Sequence, residues 1–248
     1  GQQAAGGAVE LMDDAWWTPV TRIPKSEPAW VLVVEKNLPG SIFVNREAKR
    51  FVNEASPYLD VVKGMYAGDA VPICWMVFDA EFRKQYPVGP VAPGYAAPDS
   101  RTPRKFLEGF FRRGKTLDDL AAKIELDPAA LKETIERFNA MADAGVDEDF
   151  GRGQSLADVY YADPRVKPNP SLRALRAAPF YAIPVYPGDL GTKGGLVTDA
   201  QARVLNADGA TIPGLYAAGN CSASVMGPTY PGAGGTIGPA LTFGFIAA

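Results

Sequence analysis

The stretch Gly214-Leu215-Tyr216-Ala217-Ala218-Gly219-Asn220, with Tyr230-Pro231-Gly232-Ala233-Gly234-Gly235-Thr236-Ile237-Gly238 soon after it, decides how this chain is read. The first part is a short apolar strand ending at a glycine and a polar residue. Glycine at a strand end lets a ligand or another backbone approach closely. Alone, this heptapeptide reads equally well as an ordinary strand and turn. The second part is a glycine-rich turn placed directly before a helix. The first N–H groups of that helix have no intrahelical acceptor and lie at the positive end of the macrodipole. Such an end suits a phosphate, an enolate or an anionic flavin edge. A tyrosine among flexible glycines, in an uncharged setting, is unusual for a simple helix cap.

Composition narrows the chemistry from the other side. The chain has 248 residues, 47% hydrophobic and 21% charged, so it is neither disordered nor fibrous. Lys plus Arg is 25 and Asp plus Glu is 28, a formal charge of -3 that gives no reason to expect nucleic acid as partner. There is no histidine, which excludes a Ser-His-Asp triad, a histidine base and a histidine-ligated metal within the chain. Cys74 and Cys221 are too few for a zinc site or a disulfide scaffold and read as buried free thiols. No apolar run is long enough to span a bilayer. No G-x-G-x-x-G occurs, so a dinucleotide would lack its first phosphate-cradling turn.

The pattern along the chain gives three parts: 1–28, 29–179 and 180–248. In the first, Ala4, Ala5, Ala8, Val9, Leu11 and Met12 read as one face of a helix, followed by an irregular Trp- and Pro-containing link. In the second, Trp30–Glu35 and Ser41–Asn45 read as strands joined by a turn, and Ile73–Phe78 as another strand. Val88 to Pro103 reads as a long loop. Thr116 with Asp119 marks a helix start, and Asp127-Pro128 marks a second. Leu131, Ile135, Phe138 and Ala142 recur at helical spacing, with Gly145 as the C-cap. In the third part, Leu196–Thr198 and Arg203–Leu205 read as a hairpin and Leu215–Ala218 as a buried strand. An apolar helix begins at Ile237.

These residues, taken in order, resemble the family of FAD-dependent 3-ketosteroid Δ1-dehydrogenases. The resemblance is carried by Met12-Asp13-Asp14-Ala15-Trp16-Trp17, by Arg50-Phe51-Val52-Asn53-Glu54-Ala55-Ser56-Pro57-Tyr58 and by Asp149-Phe150-Gly151-Arg152-Gly153. Pro179-Phe180-Tyr181-Ala182 and Pro187-Gly188-Asp189-Leu190-Gly191-Thr192-Lys193-Gly194-Gly195-Leu196 are also similar. The run from Gly214 to Gly244 matches best. The resemblance implies an α+β fold of the fumarate-reductase-like flavoprotein type. A catalytic domain (29–179) would be flanked by the end of a first segment (1–28) and by the second segment (180–248) of a Rossmann-like FAD-binding domain. Family members are longer and carry the glycine-rich FAD turn near their N-terminus. The chain therefore reads as the C-terminal portion of such an enzyme, without the N-terminal FAD half and inactive by itself.

The resemblance also implies roles. The reaction introduces a C1–C2 double bond into the A ring of a 3-ketosteroid, with proton removal at C2 and hydride transfer from C1 to flavin N5. Tyr58 would be the base. The Tyr230 hydroxyl and the Gly234 N–H would polarise the C3 carbonyl, because donors are needed where negative charge develops. Gly219 and Asn220 would lie beside the flavin ribityl chain, and Thr236 and Ile237 at its pyrimidine edge. No metal is implied. Partners would be FAD, a 3-ketosteroid or similar flat apolar ketone, and an external electron acceptor. The setting would be cytoplasmic, with peripheral membrane association through the apolar substrate left open. One departure is Pro228, where many members have histidine; it bears on substrate range rather than reaction class. Two other readings stand beside this one: a fumarate-reductase-type enzyme, disfavoured by the uncharged Tyr/Gly segment, and a non-catalytic binder of an apolar ligand.

Overall fold

A computed structural model describes residues 5–25 and 27–248. The elements run β1 (Val9–Glu10), β2 (Ala15–Thr21), β3 (Trp30–Val31), β4 (Ser41–Val44), α1 (Tyr58–Ala67), β5 (Cys74–Phe78), α2 (Ala80–Gln85), α3 (Arg104–Leu107) and β6 (Arg112–Gly114). Then follow α4 (Leu117–Lys123), α5 (Pro128–Ala144), α6 (Leu156–Tyr160), β7 (Phe180–Thr192), β8 (Gly195–Leu196), β9 (Arg203–Leu205), β10 (Thr211–Tyr216) and α7 (Ile237–Ala247). Helices and antiparallel strands are mixed, the α+β class expected. The chain divides into two units. One comprises the residues up to Trp17 together with Asp189–Ala248, and the other is Thr18–Gly188. The divisions thus fall inside β2 and β7, where the composition shows no break, rather than at 28/29 and 179/180.

The Thr18–Gly188 unit is built on a six-stranded sheet of order β3-β2-β7-β5-β4, with β6 also on β7. Strand β5 is an inner strand, between β4 and the central β7. It pairs antiparallel with β4, from Ser41↔Phe78 to Val44↔Trp75, and with β7, from Cys74↔Val185 to Phe78↔Tyr181. All four residues of β4 are buried, as a strand covered on both faces requires. Helix α5 lays Leu131, Ile135, Phe138 and Ala142 against Ile42, Val44, Val77 and Ala182. Each such side chain contributes about 1.5–3 kcal/mol. Both helix starts form as the sequence indicates. Thr116 Oγ1 accepts from the Asp119 N–H at 3.1 Å, and Asp127 Oδ1 from the Ala130 N–H at 2.8 Å. Gly145 closes α5 at φ +77°, and an added Cβ there would meet Pro168 Cγ at 2.5 Å.

Beneath this sheet chemistry lies a buried polar network. Arg50 clasps the Glu54 carboxylate with Nε at 2.9 Å and Nη2 at 2.8 Å. It holds Asp147 with Nη1 at 3.0 Å and Nη2 at 2.8 Å. Arg152, fully buried, donates to Glu54 Oε2 at 3.1 Å and to the carbonyls of Ser41 (2.7 Å) and Leu38 (2.8 Å). Burial would push the Glu54 carboxyl up; the charges of Arg50 and Arg152 outweigh it and hold it below the ordinary value. The buried Lys36 ammonium donates to the carbonyls of Glu54 and Ser56. Burial, with the Arg152 charge added, brings Lys36 down to about 7 against the pull of Asp158, Glu54 and Asp60.

Several expectations change. Residues 6–12 form no helix: Val9–Glu10 is a strand paired with Leu196 and Gly195, while Ala4 lies outside the described residues. Small residues match helical spacing by chance, and pairing with a distant strand overrides weak propensity. The Trp- and Pro-containing link is strand β2. Trp30–Glu35 contributes only two strand residues, paired with Val20 and Thr21, before a 3₁₀ turn at Glu35–Asn37. Cys74 is buried and its thiol pushed up by burial, but Cys221 is exposed. No described helix is long and apolar enough to cross a membrane.

Glu54→Gln leaves two guanidinium groups buried with one charge partner removed, so it is expected to cost about 3–5 kcal/mol in urea unfolding. Because the folded Glu54 is held below its unfolded value, its contribution is complete above the ordinary glutamate range and is lost as pH falls through the folded value. The variant should therefore show a flatter loss of stability on acidification than the wild type.

Candidate active site

The unit containing Asp189–Ala248 has little apolar core. Leu196, Val204 and Ala217 form it, with Val9, Ile212 and Leu215 packed around them. Its two small sheets, β1–β8 and β9–β10, are joined through a Leu205 N–H to Val197 carbonyl bond at 2.9 Å and a Thr198↔Val204 bridge, so the expected hairpin is present. The strand expected to be buried at 215–218 is β10, which begins earlier, ends at Tyr216 and has no buried residue, since it lies at the edge of a two-stranded sheet with β9. Beyond it the chain makes a 3₁₀ turn at Gly219–Cys221.

That turn is fixed by close backbone approach. An added Cβ at Gly195 would sit 2.5 Å from the Cys221 carbonyl oxygen, and one at Gly194 would sit 2.4 Å from the Leu11 carbonyl oxygen. The Gly194-Gly195 pair therefore lets β8 pass between two other backbones. The Ala223 N–H donates to the Leu196 carbonyl at 2.8 Å, which continues the docking.

Asn220, Gly219, Thr236 and Tyr230 come together in this unit. Trp16 Nε1 donates to Asn220 Oδ1 at 3.3 Å, and the Trp16 ring meets the Tyr230 ring edge-on, with centroids 5.3 Å apart at 74°. Lys193 Nζ lies 4.5 Å from the Trp16 ring centroid. Trp16, Lys193, Asn220, Ser222, Thr236 and Phe243 line a hollow of about 20 Å³, room for one water. A planar ring system can only lie across these residues, not inside them.

Gly234 has φ +89°, and nothing lies within 4 Å of where its Cβ would be. Its carbonyl accepts from the Gly238 N–H at 2.8 Å, which leads the chain into α7. Thr236 is the N-cap residue but makes no side-chain cap bond. The Gly238 N–H is taken by the Gly234 carbonyl and Pro239 has none, so what the start of α7 offers is chiefly the Ile237 N–H. A helix start reached through an unhindered glycine fits an anionic ring edge or a developing enolate. No cluster among the described residues could hold a metal ion.

Tyr58 belongs to the other unit. It is the first residue of α1, half-buried, after Pro57. Helix α1 packs on the preceding segment: an added Cβ at Gly64 would meet Val52 at 2.8 Å, and one at Gly68 would meet Phe51 at 2.5 Å. Two residues that line the hollow, Trp16 and Lys193, were given no role at the site by the sequence reading. The signal was available in the Gly191–Leu196 stretch, where a lysine stands alone among glycines.

An FAD-binding architecture is what this glycine-rich approach to an open helix start defines. The chain matches the FAD binding domain family over residues 1–237 and belongs to it. It is 48% identical to the 3-oxosteroid 1-dehydrogenase of Mycolicibacterium smegmatis over 98% of this chain and 43% of that protein. The crystal structure of 3-ketosteroid delta1-dehydrogenase from Sterolibacterium denitrificans, in complex with 1,4-androstadiene-3,17-dione, is similar with a TM-score of 0.94 and 47% identity, over 99% of this chain and 44% of that one. A flavocytochrome c3 fumarate reductase shares the fold, with a TM-score of 0.60 and 24% identity over 99% of this chain and 37% of that one. The chain thus spans less than half the length of the relatives it matches.

Gly195→Ala is expected to displace the Gly219–Cys221 turn, since the contact it creates is with backbone. In the full-length protein this should weaken flavin binding by about tenfold or more, on the order of 1.4 kcal/mol. Flavin absorbance per protein after dialysis measures it.

Proposed function

We propose that this chain is the substrate-side portion of an FAD-dependent dehydrogenase that introduces a C1–C2 double bond into the A ring of 3-ketosteroids. The observation that carries the reading is the placement of Tyr230 and Gly234 on the approach to the uncapped start of α7, beside Gly219 and Asn220. The similarity to 3-oxosteroid 1-dehydrogenases over nearly the whole chain supports it.

Gly219 and Asn220 are assigned to the flavin ribityl side, where Asn220 can donate from its amide while Oδ1 accepts from Trp16. Thr236 and Ile237 present helix-start N–H groups to the pyrimidine edge. FAD, when bound, supplies the acceptor for the hydride from C1. The Tyr230 hydroxyl and the Gly234 N–H hold the C3 carbonyl and stabilise the charge that grows on it as C2 loses its proton. The missing side chain at Gly234 lets the flat steroid ring approach that N–H. Tyr58 is assigned the proton at C2. A free tyrosine has a pKa of about 10, so it needs stabilisation of its anion to act near neutrality.

Helix α7 adds support. Ile237, Leu241 and Phe245 are all largely exposed, and no residue of the helix is buried. A helix apolar all round belongs in an interior. The FAD-domain half that the longer relatives have is the cover this reading supplies. Electrons would leave to an external acceptor, and contact with a membrane surface would come through the apolar substrate.

In the full-length protein, Tyr58→Phe and Tyr230→Phe are each expected to lower kcat on a 3-ketosteroid by roughly 10²-fold or more. Dienone formation with an artificial electron acceptor measures it. Wild-type rates in either variant would remove that residue from the scheme. Reduction of fumarate in place of steroid oxidation would overturn the reaction class.

A further inference from the structure

Lys193 is 1% exposed, although it carries a charge and stands between Thr192 and Gly194 in a unit with little core. An ammonium taken out of water needs acceptors around it. Its position is therefore set by what it holds.

It holds one loop at both ends. The Lys193 carbonyl accepts from the Ser224 N–H at 3.1 Å, and the Lys193 ammonium donates to the carbonyl of Thr229. The segment between them leads directly to Tyr230. The same ammonium lies over the Trp16 ring at 4.5 Å. That ring is fixed by the Asn220 bond and meets Tyr230 edge-on at 5.3 Å. The Lys193 N–H in turn donates to the Asp14 carbonyl at 3.3 Å, which ties it to the strand carrying Trp16.

The loop's own bonds are all local. The Gly227 N–H donates to the Ser224 carbonyl at 3.0 Å and the Met226 N–H to Ser224 Oγ at 3.2 Å, while the Thr229 N–H and Oγ1 donate to the Met226 carbonyl at 3.3 and 2.8 Å. Beyond Tyr230 come Gly232 and Gly234, both at positive φ. A reacting side chain in such a segment is held in place by neighbours outside it.

We propose that Lys193 is a positioning residue for Tyr230, acting by clasping the Ser224–Thr229 loop and by pinning the Trp16 ring against which Tyr230 rests. The inference rests on the reading of Tyr230 as a donor to the substrate carbonyl. It assigns Lys193 no contact with substrate. A desolvated cation–π contact is strong enough to fix a ring orientation. A misplacement of about 1 Å at a reacting group costs up to 10²-fold in rate.

The test uses four variants of the full-length flavin-loaded protein: Lys193→Met, Lys193→Arg, Tyr230→Phe and the double Lys193→Met/Tyr230→Phe. Rates are taken per bound flavin. The second readout is the dissociation constant of a 1,4-diene-3-one steroid, titrated by the change in flavin absorbance. Lys193→Met should lower kcat by about tenfold or more and weaken the steroid by about the same factor as Tyr230→Phe. In the double variant the Lys193 change should add less than about threefold, because the group it acts through is already gone. Lys193→Arg should recover part of the loss.

Equal losses from Lys193→Met in both backgrounds would show a general structural role and overturn the proposal. So would wild-type rates and affinity in Lys193→Met. If Tyr230→Phe itself is unimpaired, the reading of Tyr230 falls, and this inference falls with it. If Lys193→Met does not accumulate in folded form, the Lys193→Arg/Tyr230→Phe pair carries the same comparison, and multiplicative losses there overturn the proposal.

Discussion

One carboxylate shared by two buried guanidinium groups organises the Thr18–Gly188 unit. Glu54 sits between Arg50 and Arg152, and it also accepts from the Phe43 N–H at 3.0 Å. Through these groups four stretches of chain are drawn to one point: 36–43, 50–56, 147–152 and, by way of Asn53 and Asp158, the start of α6. None of these contacts is worth much against water, yet removing any partner strands a charge. The network therefore specifies a single arrangement more than it adds stability. Its product is a rigid segment ending at Pro57, from which α1 and Tyr58 begin.

The other unit works by different means. It has few apolar residues to bury, so backbone approach takes the place of side-chain packing. Gly194 and Gly195 admit β8 between neighbouring backbones, and Lys193 beside them grips the loop that follows. Among the described residues of this unit the buried charge is Lys193, and it is used locally. The result is a surface of N–H groups and small residues leading into an apolar helix, where the reacting groups would lie against a flat ligand.

Much of this was legible in the sequence where local rules decide the outcome. The caps of α4 and α5 and the glycine end of α5 follow from Thr116, Asp127 and Gly145 alone. The inner strand β5 follows from its apolar run. The rest depends on partners far along the chain. Strand β2 carries Pro19 and two tryptophans and reads as a link until β3 and β7 flank it. Strand β7 is thirteen residues long but broken in pattern by Pro184, Pro187 and Gly188. Val9 and Glu10 become a strand only because Leu196 and Gly195 lie opposite. At the site, Gly219, Asn220, Thr236 and Tyr230 were named together and lie together. Trp16 and Lys193 were passed over because their meaning lies in a ring contact between residues far apart in sequence.

Gly234 has a consequence for how such a site changes over generations. A side-chain donor can be deleted by one base change, but a main-chain N–H is present in every residue except proline. Other mutations at Gly234 shift or crowd it, since φ +89° resists a side chain. Half of the proposed carbonyl grip is thus written in the backbone and half in Tyr230. Single substitutions then reach ligand preference through Tyr230 and the surrounding side chains, while the backbone donor can be moved but seldom removed.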